Sequence, residues 1–154
     1  MLVVMAYVTS EARQQLLDEV AQAIDRLAIS LAALGAAYEQ LDEQAGDTLE
    51  EALFRPVQVA YGRAKRTHAG FAERHGLPGR DFAPATARSG TLANHVEDAV
   101  DAIAGADELL AELQDSMMPV EVGDPEVRAG LAEVRELLAP LPERAHEVAR
   151  RFGR

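Results

Sequence analysis

Three histidines are the side chains of this sequence best suited to chemistry. His68, His95 and His146 each stand at or beside an apolar position of a repeating helical pattern. Imidazole nitrogens from three helices bind Zn²⁺ or Fe²⁺ when the rings converge, and they leave coordination positions open for water or a substrate. Glu97 and Glu143 are close in sequence to two of these histidines and offer a fourth ligand or a general base. These five residues form a candidate metal site.

The same histidines also suit a structural role, because a ring beside an apolar stripe can cover the edge of a core. The pattern Glu-x-x-His of di-iron helical bundles occurs once, at residues 143–146, whereas such a site needs it twice. The sequence contains no cysteine, no nucleophile motif and no phosphate-binding loop. We therefore expect no catalytic residues and no cofactor, and a divalent metal is the alternative that stays open.

Arginines give a second candidate site, for a small anion. Residues 55–88 hold seven Lys or Arg against two carboxylates, although the whole chain has a net charge of -11. Guanidinium groups bind carboxylate and phosphate through paired hydrogen bonds. Arg74, Arg80, Arg88 and Arg150 are the candidate anion ligands. The alternative is that these arginines only complement helix dipoles and keep the surface soluble.

Apolar residues recur at alternating steps of three and four, which predicts the helices that must position these groups. Such a repeat forms one stripe along a helix, and partner helices crossing at about 20° bury it. The chain contains three such stripes. They are Leu17, Val20, Ile24, Leu27, Leu31, Leu34, Tyr38 and Leu41; Leu92, Val96, Ala99, Ile103, Ala106, Leu110, Leu113 and Met117; and Val127, Leu131, Val134, Leu138, Leu141, Ala145, Val148 and Phe152.

Capping and breaking residues predict where the first two helices begin and end. Ser10 can cap helix 1 and Gly46 can end it. Asp47 then starts helix 2, which runs to about residue 75 along a weaker apolar stripe. Pro56 lies inside helix 2 and predicts a kink.

Further along the chain, the Gly- and Pro-rich stretch 76–90 predicts a surface loop with Phe82 as its anchor. Helix 3 is expected over about 90–117. Asp124 and the proline that follows it predict the start of helix 4. Pro140 and Pro142 should bend or break helix 4 while the apolar stripe keeps its phase.

Together these elements predict an all-α, antiparallel four-helix bundle in a single domain, residues 1–154. Short connections make successive helices antiparallel, so we expect the order up-down-up-down. That order places the starts of helices 1 and 3 and the ends of helices 2 and 4 at one pole. His68, His95 and His146 would then lie at a common height.

Two apolar segments lie outside the stripes and predict an interface. Residues 1–9 form an apolar N-terminal extension, within which Met1 or Met5 could be the native start, and Met117–Val120 lies in a turn. Segments of this kind fold over the end of a bundle or pack against a partner chain. The sequence therefore favours a protein that acts through protein–protein contacts, as a homodimer.

Composition narrows the partners and the compartment. Asp and Glu outnumber Lys and Arg by 26 to 15, which disfavours binding to nucleic acid. The absence of cysteine is consistent with a reducing cytoplasm. The apolar start is shorter than the roughly 20 residues of a membrane-spanning helix. We therefore expect a soluble cytoplasmic protein that binds neither nucleic acid nor membrane.

Overall fold

The computed structural model describes the backbone of residues 2–152 and the side chains of residues 8–152. This part of the chain is all-α and contains no strand. The elements are α1 (Leu2–Glu39), α2 (Glu43–Leu49), a π-helical segment (Glu50–Phe54), α3 (Arg55–Arg74), α4 (Leu92–Asp115), α5 (Met118–Glu121), α6 (Pro125–Leu138) and α7 (Leu141–Phe152).

The ends of the first two predicted helices differ from the structure. The backbone is already helical from Leu2, so Ser10 lies inside α1 and does not cap it. Asp42 caps α2 by accepting a hydrogen bond of 2.9 Å from the Ala45 N–H, and Asp47 lies within that helix. Gly46 is buried beneath the Tyr38 ring, where a Cβ would come within 3.0 Å of it, so close packing explains this glycine better than a helix end.

Pro56 and Pro140 lie at irregular points of the helices, whereas Pro142 lies inside the first turn of α7. The π-helical segment ends immediately before Arg55 and Pro56, and a π-turn is a common way for a helix to accommodate a proline that cannot donate a hydrogen bond. Asp124 caps α6, with Pro125 in its first turn. The predicted helix 4 is broken between Leu138 and Leu141, at Pro140, into α6 and α7.

The apolar stripes form the core that the sequence predicts. Most of their members are buried in a single hydrophobic cluster to which all the long helices contribute. Leu31 is half-buried, whereas Tyr38 and Met117, at or near the ends of their stripes, are exposed. The stripe of helix 4 stays buried across the break, through Leu138 and Leu141, as its unbroken phase predicts.

The direction of α4 contradicts the predicted order of helices. Gln40, just after the end of α1, donates a hydrogen bond of 3.2 Å to the Gly90 carbonyl, just before the start of α4. Arg13, near the start of α1, donates one of 2.9 Å to the carbonyl of Val122, which follows α4 and α5. Helices α1 and α4 are therefore antiparallel, and the up-down-up-down order, which makes them parallel, is wrong.

Helix α3 is also antiparallel to α1, so α3 and α4 run in the same direction. The Phe54 ring before α3 packs beside Gly35 near the end of α1. Nearer the other end of α3, the Asp18 carboxylate, in the first half of α1, acts electrostatically on His68. Helix α6 returns antiparallel to α3, since ion pairs link Arg63 with Glu133 and Arg74 with Asp124.

The length of the connection between α3 and α4, residues 75–91, explains why the predicted order of helices is wrong. An extended chain spans about 3.3 Å per residue, so 17 residues can reach beyond the roughly 36 Å length of α4. Along its course Arg80 pairs with Asp25 in the middle of α1, and Arg88 pairs with Asp98 in α4. The segment crosses the bundle from pole to pole and is not a short turn, although Phe82 packs against the core as predicted.

Helix α1 is also long and apolar enough to cross a membrane, judged by length and composition alone. The most apolar window within Val8–Glu39 is 56% buried against the other helices, as expected when a helix lies at the centre of a soluble core. This feature is therefore weak evidence for a membrane span.

Candidate functional site

The fold does not bring the three predicted histidine ligands together. His68 lies beside the first half of α1, near Leu17 and Asp18. Gly90, just before α4, bonds to Gln40 at the other end of α1, and His95 lies one turn into α4, so it is level with about residue 36 of α1. About 18 residues of helix separate these two levels, which is roughly 27 Å at 1.5 Å per residue. The ligands of one Zn²⁺ each lie about 2 Å from it, so these histidines cannot bind the same ion. The prediction fails because it requires α4 to run in the opposite direction.

The other predicted metal ligands are also dispersed. His146 and Glu97 line a common cleft between α7 and α4, whereas Glu143 is exposed on the first turn of α7 and does not line that cleft. Within residues 8–152, no group of three His, Asp or Glu side chains is arranged to hold a metal ion.

His68 has the surroundings of a structural histidine. Its side chain is buried and contacts the Phe82 ring edge-on, with 5.2 Å between ring centroids. Burial, followed by the charge of Arg80, lowers the pKa of His68 below its ordinary value, while Asp18 and the Leu17 carbonyl oppose that change. The neutral ring therefore helps to hold the crossing segment against α3.

His95 is buried to the same degree on α4. Among the described residues, the Nδ1 atoms of His68 and His95 have no hydrogen-bond partner. The two rings lie at opposite ends of the bundle, so these unpaired nitrogens belong to two separate environments and do not form a shared site.

The four predicted anion ligands do not converge either. Arg80 makes two hydrogen bonds of 3.0 Å to Asp25, and Arg88 makes bonds of 2.6 and 2.9 Å to Asp98. Arg74, at the end of α3, is paired in the same way, and Arg150 is exposed near the end of α7. Carboxylates of the protein itself therefore occupy three of the four guanidinium groups, and the predicted anion site is not assembled.

Arg74 belongs to a charged cluster centred on Asp124, where α3 meets the start of α6. Arg74 donates bonds of 2.8 and 3.0 Å to the Asp124 carboxylate, and His75 Nε2 lies 2.9 Å from it. The Val127 N–H donates a further bond of 2.7 Å. Burial alone would raise the pKa of Asp124, but these hydrogen bonds hold it well below its usual range. The cluster joins the two helices and caps one of them.

An apolar cleft lies between α4 and α7. Its volume is about 410 Å³, and it is lined mainly by apolar side chains, with Glu97, Asp101 and His146 as the polar members. Within the described part of the chain, no ion pair links α4 to α7. The apolar residues that shape it include Leu92, Val96, Val100, Ala145, Ala149 and Phe152.

Further exposed apolar side chains lie at the opposite pole, on the first part of α1 and around α5. The Arg13–Val122 hydrogen bond places α5 beside the first part of α1. Val8 and Val120 are each 57% exposed there, and Met117 is 50% exposed. We refer to Val8, Met117 and Val120 as the apolar pole.

Sequence reasoning identified parts of these features but not their combinations. Asp124 was expected only as a helix cap, and its pairing with Arg74 depends on a tertiary contact. The cleft had a weak signal, because Ala93, Ala145 and Ala149 are small residues that leave space between α4 and α7. That signal becomes informative only when the two helices are known to be neighbours.

Comparison with known proteins identifies no relative. No family model, curated protein or solved structure matches this chain. The function must therefore be argued from the residues and the geometry.

Proposed function

We propose that this protein is a non-catalytic four-helix bundle that acts in the cytoplasm through protein–protein contacts, as a homodimer. In this proposal the bundle has four helical layers in the order up-down-down-up. The first is α1, the second is α2 with α3, the third is α4, and the fourth is α6 with α7. The observation that carries the proposal is the apolar pole. Three large apolar side chains are exposed at this pole, and the Arg13–Val122 hydrogen bond brings α5 beside α1 there.

The helix that leads into the apolar pole supports an interface there. The backbone of α1 is helical from Leu2 to Val8, and the sequence of that stretch is entirely apolar. A short apolar helix end is only marginally stable in water unless tertiary or quaternary packing supports it. Exposed apolar patches on soluble proteins commonly mark the place where a partner binds.

A second copy of the chain suits this surface better than a charged partner. Residues 2–10 contain no charged side chain, although the whole chain carries a net charge of -11. Two copies can therefore bring this stretch together without placing like charges within it opposite each other, while the exposed Glu11 and Glu121 lie beside it. Closed two-fold dimers use the same patch on both subunits.

The test is the mass of the protein in solution, measured by light scattering. The wild-type protein should have twice the 16.6 kDa mass of the chain. Val8→Glu and Val120→Glu should both give monomers, because each buries a charge in the interface. Val59→Glu is the matched control, since Val59 is also exposed, by 49%, but lies on α3.

The control should remain dimeric and all three variants should keep the wild-type circular dichroism. A monomeric wild-type protein would refute the homodimer. A dimer that persists in Val8→Glu and Val120→Glu would place the interface elsewhere.

A further inference from the structure

The cleft between α4 and α7 is separate from the apolar pole and has the dimensions of a small-molecule site. It lies near the start of α4, whereas the apolar pole lies beyond the end of that helix. Ligand sites in proteins have volumes of about 300–1,000 Å³ and are mostly apolar, with a few polar groups that determine orientation. At about 410 Å³, with mainly apolar walls, the cleft fits this description.

The polar members of the cleft give it a negative rim. Glu97 and Asp101 are one turn apart on α4 and line the cleft together. Neither lies within ion-pair distance of a basic side chain among the described residues, and Arg88, which is paired with Asp98, acts on Glu97 only through a longer-range charge interaction. The basic residues in the last turn of α7, Arg150 and Arg151, do not line the cleft.

The placement of these two carboxylates is unfavourable for the helix itself. Like charges four residues apart on a helix repel each other. Stabilisation of acidic residues by the helix dipole is confined to the first turn, and Glu97 and Asp101 lie beyond it. A cation bound between them would relieve the repulsion, and the apolar walls would bury the rest of the ligand.

We propose that the cleft between α4 and α7 binds a small hydrophobic organic cation, such as an amine or onium ion with an apolar body. The body lies against Val96, Val100 and Ala149, and the positive centre lies at the rim between Glu97 and Asp101. A simple metal ion would leave the apolar walls without a partner. An anion would meet two carboxylates, and an entire helix of a partner protein exceeds the volume.

Two probes of nearly identical shape and opposite charge test the proposal. Tetraphenylphosphonium is a hydrophobic cation, and tetraphenylborate is its anionic counterpart. Calorimetric titration of the full-length protein should show saturable binding of one phosphonium per chain, with an affinity at least about tenfold higher than that of the borate. In the amide NMR spectrum, phosphonium should shift Val96, Val100 and Ala145 and leave residues of α6 unchanged.

Two double variants distinguish the effect of the cleft carboxylates on binding from the effect of the overall charge of the protein. Glu97→Gln with Asp101→Asn should weaken phosphonium binding by about tenfold or more. Glu108→Gln with Glu112→Gln removes an equivalent exposed pair with the same spacing from the same helix and should change binding by less than about threefold. Ala149→Phe should abolish binding by filling the cleft.

The opposite results would overturn the proposal. These are the absence of saturable phosphonium binding, equal binding of the borate, or equal weakening by the two pairs of substitutions. The oligomeric state measured for the apolar pole is independent of these outcomes, so the two proposals can fail separately.

Discussion

Helices α6 and α7 lie on either side of Pro140, and they contact their neighbours in different ways. α6 is joined to α3 by the Arg63–Glu133 pair and the Asp124 cluster. The two helices also approach closely at Gly130, which faces Thr67. α7 lies beside α4 with no ion pair in the described part of the chain, and an apolar cleft remains between them.

The difference shows how one continuous apolar stripe can serve two purposes. Both halves bury their stripe, through Leu131 and Val134 in α6 and through Ala145 and Val148 in α7. α6 adds charge-paired contacts with α3, whereas the polar contact of α7 in the described part of the chain is a 3.4 Å hydrogen bond from the exposed Arg144 to the Ala52 carbonyl. We therefore assign the α6 contact to stability and the α7 contact to ligand binding, and each of the following substitutions tests one side of that assignment.

The largest effect is expected at Gly130. A Cβ at this position would overlap the Thr67 side chain, so Gly130→Val should force α6 away from α3. Inserting such bulk into a packed contact costs typically about 1–3 kcal/mol or more. Gly79→Ala is the control, because a Cβ there meets no atom within 4 Å. Urea unfolding should show a large loss for Gly130→Val only, and near-equal stabilities would refute the close α3–α6 contact.

A smaller loss is expected from Asp124→Asn. Asparagine still caps α6, so this change isolates the charged bonds to Arg74 and His75. Hydrogen bonds to charged groups contribute about 1.5–3 kcal/mol, and because the Arg74 side chain is one-third exposed we expect a loss near or below the lower end of that range at pH 7, smaller than that of Gly130→Val. The control is Asp47→Asn, whose carboxylate is exposed and makes no ion pair within residues 8–152.

The same variant has a defined pH dependence. Because the pKa of Asp124 is lower in the folded protein, its stabilisation is complete above the ordinary aspartate pKa of about 3.9 and disappears as the pH falls below it. The stability difference between the wild-type protein and Asp124→Asn should therefore shrink in acid. A difference that stays constant from pH 7 to about pH 3 would contradict the assigned role of the carboxylate.

The smallest effect on stability is expected in the cleft. Ala149→Leu adds volume where the structure already has empty space, so its stability should stay within about 1 kcal/mol of the wild-type value. Thermal unfolding of this variant beside Gly130→Val compares the two contacts directly. A loss as large as that of Gly130→Val would show that α7 is packed as tightly as α6.

The sequence predicts the elements of this fold better than their arrangement. Apolar residues spaced alternately three and four positions apart determine which face of a helix is buried. Leu131 and Ile103 are buried as this spacing predicts, because only the local geometry of the helix is involved. Helix direction depends on how a connection crosses the bundle. The length of residues 75–91 allows either course, and the contacts that decide between them, such as Gln40 with Gly90, are tertiary.

The candidate sites depend on that arrangement and could be predicted only in part. His68 and His95 were expected to share a level, and reversing α4 separates them to opposite ends of the bundle. Glu97 was identified as a candidate metal ligand, but its neighbours Val100 and Ala149 were not identified. The spacing of apolar residues along α4 or α7 does not show that the two helices are in contact. The apolar segments at residues 1–9 and Met117–Val120 were identified separately, and the fold brings them to one pole.

Native-state hydrogen exchange tests the contrast between the two helix contacts most directly. The amides of α6, such as Leu131 and Val134, should exchange only through global unfolding, whereas those of α7, such as Ala145 and Val148, should exchange through local opening at a lower free energy. Tetraphenylphosphonium should slow exchange in α7 and leave α6 unchanged. Equal protection of the two helices, with no effect of the cation on α7, would contradict the assignment of stability to one contact and ligand binding to the other.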